Sequence, residues 1–172
     1  MANTLIITFI AEDRPGVVEQ LSEIVEAHGG NWLESRMAHL AETFAGVARV
    51  QVPKASSDAL GAALTALAGN GFQIMVRDAA DGAAQNGPVI AFEIVGPDHP
   101  GIVHELTRTI ASLGVSVEEM ETRIEGAPHG GGMLFHADTK VRLPAGLSEE
   151  DFQSALEDSA NALVVDIVIA ED

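Results

Sequence analysis

Two short segments combine residue types that could hold a charged small molecule: Asp13-Arg-Pro-Gly16 and Asp98-His-Pro-Gly101. In each, proline fixes one backbone torsion, glycine relaxes the next, and a helical pattern begins at once. A helix opening there presents backbone N–H groups without intrahelical partners and the positive end of its dipole, and glycine lets a carboxylate approach the main chain closely. A free amino acid also brings an ammonium group, for which the carboxylates of Asp13 and Asp98, the amide oxygen of Asn31 or strand-end carbonyls are acceptors. The candidate ligand-binding set is therefore Asp13, Gly16, Val17 and Asn31 in the first half, with Asp98, Gly101 and Ile102 in the second. Each has a plain structural reading too: Asp-x-Pro-Gly is a good turn and helix start without any ligand, and Asn after glycine is a common turn residue.

Other chemistries find less support. His99, His104, His129 and His136 show neither His-x-x-x-His nor His-Glu-x-x-His spacing, so no metal site is assigned. The run His129-Gly-Gly-Gly132 has no following Lys-Ser/Thr and no helix after it, and reads as a hairpin loop rather than a phosphate cradle. A nucleophile elbow, a P-loop and a dinucleotide fingerprint are all missing, so no catalytic residue and no cofactor are assigned. The lack of cysteine removes thiolate catalysis, disulfides and Cys-ligated zinc together. Nine Lys and Arg against 26 Asp and Glu leave a net charge of -17, which repels a phosphate backbone and argues against direct nucleic-acid binding. The sole tryptophan, Trp32, reads as a core or interface residue.

The elements that must carry the two turns repeat. The turn at Asp13 recurs at Asp98, an offset of 98 − 13 = 85 residues, and the same offset places Leu5–Ile10 on Ile90–Val95 and Gly29 on Gly114. Apolar residues on one face, Val17, Leu21, Ile24 and Val25 or Val103, Leu106, Ile110 and Leu113, predict a helix after each turn. Strand patterns follow at Asn31–Leu40 and Phe44–Val52, and again at Val115–Arg123 and Met133–Leu143. Ser-capped helices are expected next, at Ser56-Ser57-Asp58 and at Ser148-Glu-Glu-Asp151, where Leu147 and Phe152 have the spacing of a hydrophobic staple. Final strands are expected at Phe72–Arg77 and Leu163–Ile169.

Each half thus reads as βαββαβ, and the expected class is α+β: two tandem ferredoxin-like domains with antiparallel sheets and helices on one face. The expected boundaries are 1–78 and 88–172, joined by a small, polar linker at 79–87. Halves of this size are marginal alone and have open sheet edges, so close association between them is expected. The apolar start, Leu5 to Ile10, has no preceding Lys or Arg and only a strand's length, unlike a signal peptide or a membrane span, so a cytoplasmic location is expected.

An apolar strand, Asp13-Arg-Pro-Gly-Val-Val, an amphipathic helix, His28-Gly-Gly-Asn31 and a second strand resemble the opening of an ACT domain, and Asp98-His-Pro-Gly-Ile-Val repeats it. With Glu34-Ser-Arg-Met37 and Glu121-Thr-Arg123 on the second strand of each half, the whole chain resembles the glycine cleavage system transcriptional repressor family. The resemblance implies regulation by an amino acid bound near the β1–α1 turn. It also implies action through a protein partner, a DNA-binding activator, with a homodimer as one form of assembly. Two departures are visible: Ser116 stands where the first half has Asn31, and Glu121-Thr-Arg123 lies later than Ser35-Arg36 projects. The expectation is a non-catalytic, amino-acid-binding regulator; a small enzyme acting on an amino acid and a ligand-free pairing scaffold are the alternatives.

Overall fold

The structure is a computed structural model that describes residues 1–79, 87–128, 131–163 and 165–169, with the main chain alone at 161–163. The chain divides into two compact units, Met1–Gly82 and Ala83–Asp172. Of the linker expected at 79–87, residues 80–86 lie outside the described residues.

In the first unit, β1 (Ala2–Glu12) leads through the Asp13 turn into α1 (Val17–Ala27). The hairpin β2 (Asn31–Leu40) and β3 (Thr43–Pro53) follows, then α2 (Ser57–Ala66) and β4 (Phe72–Asp78). The second unit repeats this order with β5 (Val89–Pro97), α3 (Ile102–Ser112), β6 (Ser116–Gly126), β7 (Met133–Arg142), α4 (Glu149–Leu163) and β8 (Asp166–Ile169). The sheets are antiparallel with strand orders β2-β3-β1-β4 and β6-β7-β5-β8, so β2 and β6 are edges. This is the split βαβ arrangement, twice.

Strand alternation fixes one face of each sheet against its helices. Leu5, Ile7 and Phe9 of β1 pack on Leu21 and Val25 of α1 and on Leu60 and Leu64 of α2. Phe92 and Ile94 of β5 pack in the same way with Leu106, Ile110, Phe152 and Leu156. Each such side chain contributes roughly 1.5–3 kcal/mol when taken fully out of water.

Two details differ from the sequence expectation. Helix α4 runs on to Leu163, and Val165 N donates to Ala160 O at 3.1 Å, a helix-end turn that delays β8 to Asp166. Ser148 caps α4 as expected, accepting from Asp151 N at 3.1 Å, with Leu147 and Phe152 both packed on the core. Ser56 makes no side-chain cap bond: a 3₁₀ turn, Lys54–Ser56, feeds the chain into α2 instead, and Ser57 Oγ accepts from the Asn3 side chain at 3.1 Å. Among the described residues no helix is long and apolar enough to cross a membrane.

Candidate functional site

The two Asp-x-Pro-Gly turns are built alike. Asp13 N donates to Glu42 O at 3.1 Å and Asp98 N to Met133 O at 2.9 Å, tying each turn to the hairpin beside it. Gly16 and Gly101 have φ of 91° and 96°, so the left-handed backbone itself demands glycine, and a Cβ is unfavourable by about 1–2 kcal/mol before any ligand is considered. Gln20 N and Glu105 N close the first helical turns on Gly16 O and Gly101 O, both at 3.0 Å. Val17 and Ile102 are only 3% and 5% exposed. Their side chains belong to the cores.

Asn31 stands elsewhere in its unit. It opens β2 opposite Gln51, which lies opposite Thr4 of β1. Thr4 is 13 − 4 = 9 residues from Asp13, roughly 30 Å at a strand's rise of about 3.3 Å per residue. Ser116 has the matching place in the second unit, opposite Arg142. Within a unit, therefore, Asn31 and Ser116 lie at the opposite end of the sheet from the turns, and Gly16 and Asn31 are not brought together.

What does stand beside the turns is the far end of β2 and β6, and here the units diverge. Each of these strands carries a register shift at its start, between Trp32 and Glu34 and between Val117 and Glu119, so they correspond position for position at the offset of 85. His39 opposes Phe44 in the first unit, and Ile124 opposes Phe135 in the second. His39 Nε2 lies 3.4 Å from Asp13 Oδ2, so the first turn's carboxylate is already engaged. Two residues earlier, Met37 opposes Gly46 where Thr122 opposes Ala137. A Cβ at Gly46 would come within 2.8 Å of Met37 Cγ and 2.9 Å of the Phe9 ring, which shows how closely Met37 fills that place.

With threonine and isoleucine in place of methionine and histidine, the second unit has a cleft of about 500 Å3 at its turn. Asp98, His99 and Gly101 form its polar end. Ile102 and Val103 of α3 line one wall; Thr122, Arg123 and Ile124 of β6, with Phe135 of β7, line the other. No hydrogen bond or ion pair of the Asp98 carboxylate is found among the described residues. The groove of the first unit is smaller, about 380 Å3, and sits on another side of α1, between Arg14, Gln20, Glu23, Ile24, Leu67 and Asn70.

Arg123 is committed to the open face of the sheet. Its guanidinium bonds Asp138, Glu125 at 3.0 Å and Glu93 at 3.3 Å, with His136 Nδ1 also 3.3 Å from Glu93. The Asp138 hydrogen bond, more than any other contact, raises the guanidinium above its ordinary range, with Glu125 adding to it, so the charge is permanent and matched by carboxylates. What the cleft offers a charged group is therefore the start of α3 and the Asp98 carboxylate rather than the Arg123 guanidinium.

Sequence reasoning placed Asp98, Gly101 and Ile102 here and missed Val103, Thr122, Ile124 and Phe135 as walls of a cleft. The alternation of Met120, Thr122 and Ile124 was a readable signal for the helix-facing side of β6. Their meeting with Val103 depends on strand register, which no local pattern supplies.

Known proteins agree with this construction. Residues 3–77 match the model of the ACT domain. The chain is similar in structure to an unknown protein from Galdieria sulphuraria, with 28% identity, a TM-score of 0.87, and coverage of 100% of this chain and 99% of that one. It is also similar to a crystal structure provisionally named a glycine cleavage system transcriptional repressor, at 17% identity and TM-score 0.73, with 99% and 97% of the two chains covered. No curated protein matches the sequence. The first unit matches the ACT domain, the second repeats its βαββαβ fold, and the chain as a whole shares the fold of the protein named for the glycine cleavage system transcriptional repressor.

Proposed function

We propose that this protein is a non-catalytic regulator that binds a free amino acid at the β5–α3 turn of its second unit and passes the signal on through a protein partner. The observation that carries this reading is the cleft itself, where an unpaired Asp98 carboxylate and the start of α3 stand together before apolar walls. Such a mixture of a few placed polar groups with apolar lining is the usual make-up of a small-molecule site. The fold likeness to a protein named as a transcriptional repressor supports a role in controlling transcription of amino-acid metabolism. The net charge of -17 supports a route through another protein rather than through bare DNA.

Calorimetric titration of the full chain with each of the common amino acids tests the reading. One site per chain is expected, weakened by Asp98→Asn and unchanged by Asp13→Asn. Heat with no amino acid, or equal weakening by both variants, would overturn it. A salt-sensitive gel shift with the protein alone would overturn the indirect route to DNA.

A further inference from the structure

We infer that the cleft of the second unit selects amino acids with an apolar side chain over glycine and over polar ones. This rests on the reading of that cleft as an amino-acid site and adds the class of side chain it takes. The groups able to hold the α-carboxylate and ammonium, the first turn of α3 and Asp98, are neighbours at the β5–α3 turn and both border the cleft. Beyond them the walls are Val103 and Ile102 on the helix and Ile124 and Phe135 on the strands. Ile124 and Val103 are 53% and 41% exposed, so both present hydrocarbon to water in a concave surface. A leucine, isoleucine or methionine side chain would cover them; glycine would leave them wet.

The cleft discriminates against polar side chains by the same lining. Thr122 contributes one hydroxyl, so the amide of asparagine or glutamine would have donors and acceptors left without partners among Ile, Val and Phe. An acidic side chain would add a third carboxylate close to Asp98. A cationic side chain would set its charged head against the same hydrocarbon lining, since the Arg123 guanidinium is held by Asp138, Glu125 and Glu93 on the open face of the sheet. The first unit gives the contrast within one molecule: with Met37 and His39 at the matching positions, Asp13 is paired to protein rather than held open.

Calorimetric titration of the full chain with leucine, isoleucine, methionine, glycine, asparagine, aspartate and lysine tests the selectivity. Leucine or a neighbour in that class is expected to bind about tenfold to a hundredfold tighter than glycine, the range that covering one aliphatic side chain supplies. Ile124→Thr keeps the branched shape that suits a strand and should weaken leucine binding enough to reduce that ratio severalfold. Circular dichroism verifies that the variant is folded. Glycine, asparagine, aspartate or lysine binding as tightly as leucine would overturn the selectivity and leave the amino-acid site standing. A leucine-to-glycine ratio untouched by Ile124→Thr would also overturn it. Binding of none of them would overturn both the selectivity and the reading beneath it.

Discussion

The β1–α1 corner of the first unit and the β5–α3 corner of the second share a backbone and differ in what fills it. Both turns tie the aspartate N–H to the hairpin and close the first helical turn on a left-handed glycine, and the adjacent strands have matching register shifts. On the edge strands the facing side chains differ, Met37 and His39 against Thr122 and Ile124, and in the turns Arg14 stands where the second unit has His99. A repeated fold can therefore keep one backbone scaffold in both copies while lining it with different side chains. The turn motif is the repeated architecture within the molecule; the edge strand sets the side chains that stand before it.

Exchanging those residues should give the largest effects. Thr122→Met with Ile124→His would fill the second cleft and place an imidazole near Asp98, and amino-acid binding should fall by about a hundredfold or beyond detection, as expected when a ligand loses both its space and a charged partner. The reverse pair, Met37→Thr with His39→Ile, should open the first corner and move the calorimetric stoichiometry from one site toward two. If the first exchange leaves binding intact, the cleft is not the site. If the reverse exchange leaves a folded protein with one site, the difference between the corners lies outside these four residues.

Next in size is the carboxylate itself. A hydrogen bond from a charged ligand group contributes roughly 1.5–3 kcal/mol, so Asp98→Asn should weaken binding about tenfold to a hundredfold. Asp13→Asn should leave affinity unchanged, and its pairing with His39 is solvent-exposed, so stability should move by less than about 1 kcal/mol in urea unfolding. Equal effects on affinity would make the two corners equivalent after all.

The helix starts differ by a smaller amount. Ser148 accepts a hydrogen bond from Asp151 N, whereas Ser56 makes no side-chain cap bond. Ser148→Ala should cost about 1 kcal/mol and Ser56→Ala close to nothing, read as shifts in the denaturant midpoint. A similar loss from both would show that the 3₁₀ entry into α2 gives no substitute for a cap.

How much of this was legible in the sequence follows the range of each interaction. The turns were readable because Pro-Gly chemistry is local, and the strands because alternation is local. Val17 and Ile102 open α1 and α3, and the helical period that made these helices recognisable turns both side chains inward, with Ile102 still bordering the cleft. Asn31 joined the candidate set as the first residue of an edge strand, with an amide able to accept from an ammonium group, and within its own unit it stands away from Gly16. An 11-residue helix carries the chain back along the sheet, so residues at its two ends come to opposite ends of the strands. The engagement of Asp13 by His39, and its absence at Asp98, needed the register of a hairpin against a turn 26 residues away in sequence, since 39 − 13 = 26. The network around Arg123 likewise joins β5, β6 and β7, although Glu121-Thr-Arg123 stood out as a motif.

The smallest effect concerns the hairpins that brace the two turns. Between β2 and β3 the chain reverses at Ala41 and Glu42, and Ala41 has φ of 53°, the sole non-glycine residue with positive φ among those described. The left-handed conformation is unfavourable for alanine by about 1 kcal/mol, because Cβ crowds the following carbonyl. Glycine removes that crowding but has more freedom to lose on folding, which offsets part of the gain. Ala41→Gly should thus stabilise the first unit by roughly 0.5 kcal/mol, seen as a small rise in the urea midpoint with an unchanged slope. The hairpin's Glu42 carbonyl holds Asp13 N, and His39 lies on the strand just before the reversal, so a relaxed turn should keep the Asp13–His39 pair in place. Amino-acid affinity in the second unit should not change. A loss of stability would mean that Ala41 makes contacts worth more than its strain, and a change in stoichiometry would mean that the first corner is closed by hairpin strain rather than by Met37 and His39.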